Sequence, residues 1–239
     1  MTGERNLGER TKLRVLCLHG FRTSGSILEK QLSKWSSSIH ELLDLTFLDA
    51  PYPAKGKSDV EGFFPPPYYE WFQYNHDFTE YTGFDETVQF IANFMENNGP
   101  FDGLLGFSQG SILSSALVGM QEKGKALTGI PPVKFVISVS GAKLIASKFA
   151  FVYSDGIRRP SVHVLGDKDW LRTPGEELLK AYESPLVIRH PKGHTVPRLD
   201  ERSTMVMRDF LLQQLTFQKS TLVKQIAIDE DSREIAVEA

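Results

Sequence analysis

The chain has 239 residues, 41% of them hydrophobic and 24% charged, a length suited to one generous domain and a composition that excludes wholesale disorder. Its 27 basic and 30 acidic side chains leave a net charge of −3, which gives no electrostatic footprint for a polyanion and disfavours nucleic acid or an acidic membrane as partner. A single cysteine, Cys17, excludes an internal disulfide framework and any multi-cysteine zinc site. Met1–Lys12 lacks the apolar centre of a signal peptide, and no run reaches the ~20 apolar residues of a membrane span. The expectation is a soluble, intracellular protein, in the cytoplasm with the nucleus as a second compartment.

In chain order, Lys12–Leu18 reads as an apolar strand ending at His19-Gly20, and Glu29–Ile39 as a helix with Leu32, Trp35 and Ile39 at helical spacing. Leu45–Leu48 is a second strand, halted by Asp49-Ala50-Pro51. Lys55–Tyr81 is long, strand-poor and rich in aromatics and prolines, as a functional excursion over a sheet edge would be. Asp85–Glu96 sets Val88, Ile91, Ala92 and Met95 on one helical face. The strand Gly103–Phe107 runs directly into Ser108 and a helix over Gln109–Glu122. Three more strands follow at Lys134–Val139, Ser161–Leu165 and Leu186–Arg189, with a helix over Glu176–Ala181 between the last two. A closing helix covers Pro197–Leu215, with Pro197 as its first residue. Strands apolar throughout and separated by helices imply a mainly parallel sheet covered on both faces. The expected architecture is one three-layer α/β domain over residues 1–218 and a charged tail over 219–239.

Gly106-Phe107-Ser108-Gln109-Gly110 matches G-x-S-x-G at a strand-to-helix junction. A sharp turn there needs small residues two positions either side of the serine, and both are glycine. The hydroxyl then stands above the carboxyl edge of the sheet, with the positive end of the next helix beneath it. Serine is a weak nucleophile until a base takes its proton. His19, His40 and His76 precede Ser108 and are poor candidates by chain order, while His163 lies within a strand. His194, in the loop Gly193-His194-Thr195-Val196-Pro197, is favoured as base over His190, which ends a strand. The loop Gly166-Asp167-Lys168-Asp169 supplies the orienting carboxylate. Asp169 is preferred, with Asp167 as the alternative and more naturally a turn former. The backbone N–H groups of Phe21, after His19-Gly20, and of Gln109 are the expected oxyanion donors.

Other patterns fail. Gly56-Lys57-Ser58 lacks the glycine five residues earlier that a phosphate loop requires, since Pro51 stands there. No dinucleotide fingerprint or H-E-x-x-H occurs, so neither cofactor nor metal is expected. Seven aromatics between Phe63 and Tyr74, interleaved with three prolines, make an apolar wall with little freedom to lose on binding. Phe63, Phe64, Tyr69, Trp71 and Phe72 are the candidate substrate-binding residues; the same segment also suits a flap with its own small core. Cys17, inside the first strand, is expected to be buried and inert.

Taken in order, Leu16-Cys17-Leu18-His19-Gly20-Phe21, Ala50-Pro51 with Trp71, Leu105–Gly110, Gly166–Asp169 and Gly193–Pro197 resemble the family of serine hydrolases (FSH), over about residues 10–216. The resemblance implies a compact α/β-hydrolase cleaving carboxylic esters or thioesters, with Ser108, Asp169 and His194 as nucleophile, acid and base. Gly-Phe-Ser-Gln-Gly is also similar to the motif of acyl-protein thioesterases. The expected partner is a small ester or thioester with an apolar acyl chain. The competing expectation is a binding module on a hydrolase scaffold that turns over little, against which a complete Ser, Asp and His set argues.

Overall fold

The computed structural model describes residues 11–237, with side chains as far as Gln218 and that of Ser220. Strand β1 (Leu13–Leu18) is followed by helices α1 (Gly25–Leu32) and α2 (Ser37–His40) and by β2 (Leu43–Leu48). The excursion contains four two-residue strands in two antiparallel pairs, β3 (Tyr52–Pro53) with β4 (Tyr69–Glu70) and β5 (Gln73–Tyr74) with β6 (Tyr81–Thr82). Then come α3 (Phe84–Asn98), β7 (Gly103–Phe107), α4 (Gln109–Glu122), β8 (Phe135–Val139), α5 (Ala150–Tyr153), β9 (Ser161–Gly166), α6 (Arg172–Leu179), β10 (Leu186–His190) and α7 (Glu201–Val237).

The six long strands form one sheet in the order β2-β1-β7-β8-β9-β10, parallel throughout. The chain leaves β1 toward β2 and returns on the other side as β7. The loops after β1 and β7 therefore diverge, opening a crevice at the carboxyl edge where α/β sheets bind ligands. Because side chains alternate along a strand, Leu13, Val15 and Cys17 enter one apolar layer with Leu28, Leu32, Phe210 and Leu211 of α1 and α7. Leu16 and Leu18 enter the other, with Ile91, Met95, Leu113 and Leu117 of α3 and α4. The expected three layers are present. Among the described residues no helix is long and apolar enough to cross a membrane.

Local chemistry moves several boundaries. The single helix expected over Glu29–Ile39 is two. Ser24 caps α1 by accepting the Ile27 N–H at 3.3 Å, and Ser36 caps α2 through the Ser38 N–H. Trp35 lies in the turn between them, its indole N–H donating to Pro197 O at 3.1 Å. That bond belongs to the extended segment before α7, which begins at Glu201 rather than Pro197. Asp200 is its cap, accepting the Ser203 N–H at 2.8 Å. The helix over Glu176–Ala181 starts earlier, at Arg172. Helix α7 continues without a break through residue 219, where the sequence suggests that a tail begins. Gln218 of α7 donates to Asp102 Oδ1 at 2.7 Å, beside the Lys134 ammonium at 2.9 Å, tying the helix to the amino-terminal edge of the sheet.

Candidate active site

Ser108 occupies the junction of β7 and α4 with φ 53° and ψ −117°, a left-handed backbone that a non-glycine residue adopts only where its surroundings hold it there. The surroundings are tight. A β-carbon on Gly106 would lie 2.3 Å from the Gly110 carbonyl oxygen, and one on Gly110 would lie 2.0 Å from that of Leu18. Leu18 pairs with Gly106 in the β1–β7 register, so the two glycines let α4 start hard against the end of β1. Ser108 N–H donates to Val139 O at 2.9 Å, and β8 thereby fixes the turn from the opposite side.

The loops after β9 and β10 bring the other expected residues to this serine. His194 Nε2 is 2.8 Å from Ser108 Oγ, and His194 Nδ1 is 2.8 Å from Asp169 Oδ1. The carboxylate only accepts, so Nδ1 carries the proton and the lone pair of Nε2 faces the hydroxyl. Asp169 is buried, and its Oδ1 also accepts the Leu171 N–H at 2.8 Å. The rings of Phe107 and Trp170 stand at 5.1 and 5.0 Å from the imidazole and confine its rotation. Asp167 is exposed and stays a turn residue, its N–H donating to His190 O at 2.8 Å. His190 is buried at the end of β10.

His19 is neutral and structural. Its Nε2 accepts the Ala50 N–H at 3.1 Å, which leaves the proton on Nδ1, 2.8 Å from Gly20 O. Burial lowers its pKa from the ordinary 6.5 to about 4. The strap Gly20-Phe21 is thereby held beside the serine, a β-carbon on Gly20 falling 3.5 Å from Ser108 Cβ. Neither the Phe21 nor the Gln109 N–H has a backbone acceptor among the described residues, and Gln109 opens a 14-residue helix with no capping side chain. The two amides and the positive end of α4 are thus free to meet an anion.

A cavity of about 740 Å³ opens over Ser108 and His194. Of the five aromatic residues singled out in the sequence, Phe63, Phe64 and Phe72 line it and Tyr69 and Trp71 do not. Trp71 is completely buried because its indole N–H donates to His19 O at 2.8 Å, and Tyr69 is held in the bridge to Thr23 and packs on the core. Tyr74, Tyr81, Ile112, Ile145 and Trp170 complete much of the apolar wall. None of these five was singled out from the sequence; the place of Trp170 beside Asp169 is a signal that could have found it, whereas Ile112 and Ile145 carry none apart from the fold.

Two further contacts were not foreseen. The Gln109 side chain clamps the flap, Oε1 accepting the Trp71 N–H at 3.0 Å and Nε2 donating to Phe72 O at 2.7 Å. Arg22 bonds the buried Glu70 at 3.2 Å while its guanidinium lies 4.7 Å from the Phe21 ring centre. The flap is therefore fastened at two points, to Gln109 beside the candidate nucleophile and to Arg22 after β1.

Residues 9–206 match the protein family described as Serine hydrolase (FSH1). The chain is 30% identical to Esterase C25G4.2 of Caenorhabditis elegans over 221 residues, 87% of this chain and 97% of that one. It is also 30% identical to a Schizosaccharomyces pombe protein named dihydrofolate reductase, over 83% of this chain and 47% of that one, so it spans about half of that relative's length. Among solved structures, Zea mays acyl-protein thioesterase 2 aligns with a TM-score of 0.59 at 18% identity, over 87% of this chain and 96% of that chain, a likeness of fold. The chain belongs to the FSH1 family of serine hydrolases and is built on the α/β-hydrolase fold.

Proposed function

We propose that this protein hydrolyses carboxylic esters or thioesters with apolar acyl groups, through an acyl-enzyme on Ser108. The observation that carries the reading is the hydrogen-bonded chain Ser108–His194–Asp169, with both links at 2.8 Å, at the floor of a mainly apolar cavity. In this reading His194 Nε2 takes the hydroxyl proton as Oγ attacks the acyl carbonyl. The Phe21 and Gln109 amides receive the oxyanion. His194 returns its proton to the departing alcohol or thiol, and a water activated by the same imidazole then releases the acid. Asp169 fixes the imidazole tautomer and stabilises the imidazolium without taking its proton. Phe63, Phe64 and Phe72 hold the acyl chain.

A series of p-nitrophenyl esters of increasing acyl length tests this. An initial burst of p-nitrophenol and kcat/KM rising with chain length are expected, since each buried methylene contributes about 0.8 kcal/mol. No burst and no turnover at any length would mean a binding scaffold instead.

A further inference from the structure

Two buried polar atoms at the acid are without partners. Asp169 Oδ1 accepts two hydrogen bonds, from His194 and Leu171, whereas Asp169 Oδ2 has none among the described residues, and neither has His190 Nε2. The bond that His190 does make settles which of its nitrogens is the donor. Its Nδ1 accepts the Lys192 N–H at 3.3 Å, so the neutral ring carries its proton on Nε2. A buried donor and a buried acceptor therefore both go unanswered, an arrangement that is destabilising if left so.

The backbone brings them to one place. His190 pairs with Gly166 across β10 and β9, and a β-carbon on Gly166 would lie 2.9 Å from His190 Cε1. The turn from Gly166 to Asp169 starts beside that ring and is tied to the same strand end, with Asp167 N–H on His190 O at 2.8 Å and Asp169 N–H on Gly166 O at 3.2 Å. The charges acting on the ring are Asp169, the strongest favourable one, then Asp167 and, with opposite sign, Lys192. Burial keeps the ring neutral at pH 7 by lowering its pKa from 6.5.

We propose that His190 is a positioning residue for Asp169, its Nε2–H serving Asp169 Oδ2 through a small ring rotation or one bridging water. The relay then has four members, Ser108–His194–Asp169–His190, and the carboxylate is held from both oxygens. This rests on the hydrolase reading above. A donor on Oδ2 also draws negative charge away from Oδ1. Without it the carboxylate holds the His194 imidazolium more strongly, and the neutral base is reached only at higher pH.

Three measurements test the proposal. In the wild-type protein, 15N NMR of the histidine side chains should show His190 as the Nε2–H tautomer with a proton protected from exchange; the Nδ1–H tautomer overturns the proposal. His190→Leu should lower kcat about 10-fold with KM nearly unchanged and move the acid limb of kcat/KM up by about half a pH unit. His190→Gln, which keeps a donor, should restore most of both. A folded His190→Leu variant with an unmoved acid limb and kcat within about twofold of wild type overturns it. Turnover surviving in Ser108→Ala would instead overturn the hydrolase reading, and the NMR result would still decide the His190 contact.

Discussion

Replacing Gln109 by alanine leaves its backbone N–H in place and removes only the clamp on the flap. The Trp71 N–H and Phe72 carbonyl, both on buried residues, lose their partners at about 1–3 kcal/mol each, a destabilisation of about 2–6 kcal/mol. For a domain of this size each kcal/mol lowers Tm by about 2–4 °C, so a drop of about 4–24 °C is expected by calorimetry or circular dichroism. Gln109→Glu keeps an acceptor for Trp71 but turns a carboxylate oxygen toward the Phe72 carbonyl, and should lose at least as much. Since Phe72 lines the cavity, KM for long acyl esters should also rise in both variants. A Gln109→Ala protein melting within about 2 °C of wild type, with KM unchanged, would refute the clamp.

Asp169→Asn keeps the volume of the side chain but no longer enforces the Nδ1–H tautomer of His194, and kcat should fall about 10⁴-fold with KM little changed; a loss under about 10-fold would remove Asp169 from the relay. His19 and His163, buried and neutral, have pKa values lowered from 6.5 to about 4 and about 3. The unfolded chain therefore binds protons that the folded one refuses. Their contribution is complete above pH 6.5 and is lost as pH falls toward 4 and 3, about 3 kcal/mol for His19 alone. Urea unfolding should show stability falling across that window, whereas a flat profile from pH 6.5 to 4 would contradict the buried neutral rings. The Cys17 thiol, fully buried and with its pKa pushed up by burial, should resist alkylation until the protein is denatured; rapid labelling of the native protein would contradict its placement.

The centre of the sheet was legible because β1, β7, β8 and β9 are short apolar runs closed by a polar or glycine turn, as strands covered on both faces must be. The edge strands β2 and β10 are partly exposed and carry Asp44 and Arg189 among their apolar residues. Helix ends were less so. Pro197 has the right chemistry for a first helical residue, but its carbonyl accepts the Trp35 indole N–H, a partner 162 positions away that no local pattern shows. The glycine pair around Ser108 and the order of Asp169 and His194 marked the candidate site because a strained turn restricts residue type so severely. The aromatic run Phe63–Tyr74 marked the flap but not the direction of each ring. Phe72 meets the cavity while its neighbour Trp71 is drawn under the flap by the His19 carbonyl. The Gln109 clamp went unread for the same reason, since its partners are backbone atoms and leave no trace in composition.

The nucleophile is tested most directly by treating the native protein with a fluorophosphonate and locating the adduct by mass spectrometry. The account predicts one phosphonyl group on the peptide carrying Ser108, its formation slowing as the pH is lowered and the imidazole of His194 takes up a proton, and no adduct in Ser108→Ala. An adduct of equal yield in that variant, or one found on another side chain of the wild type, would contradict it.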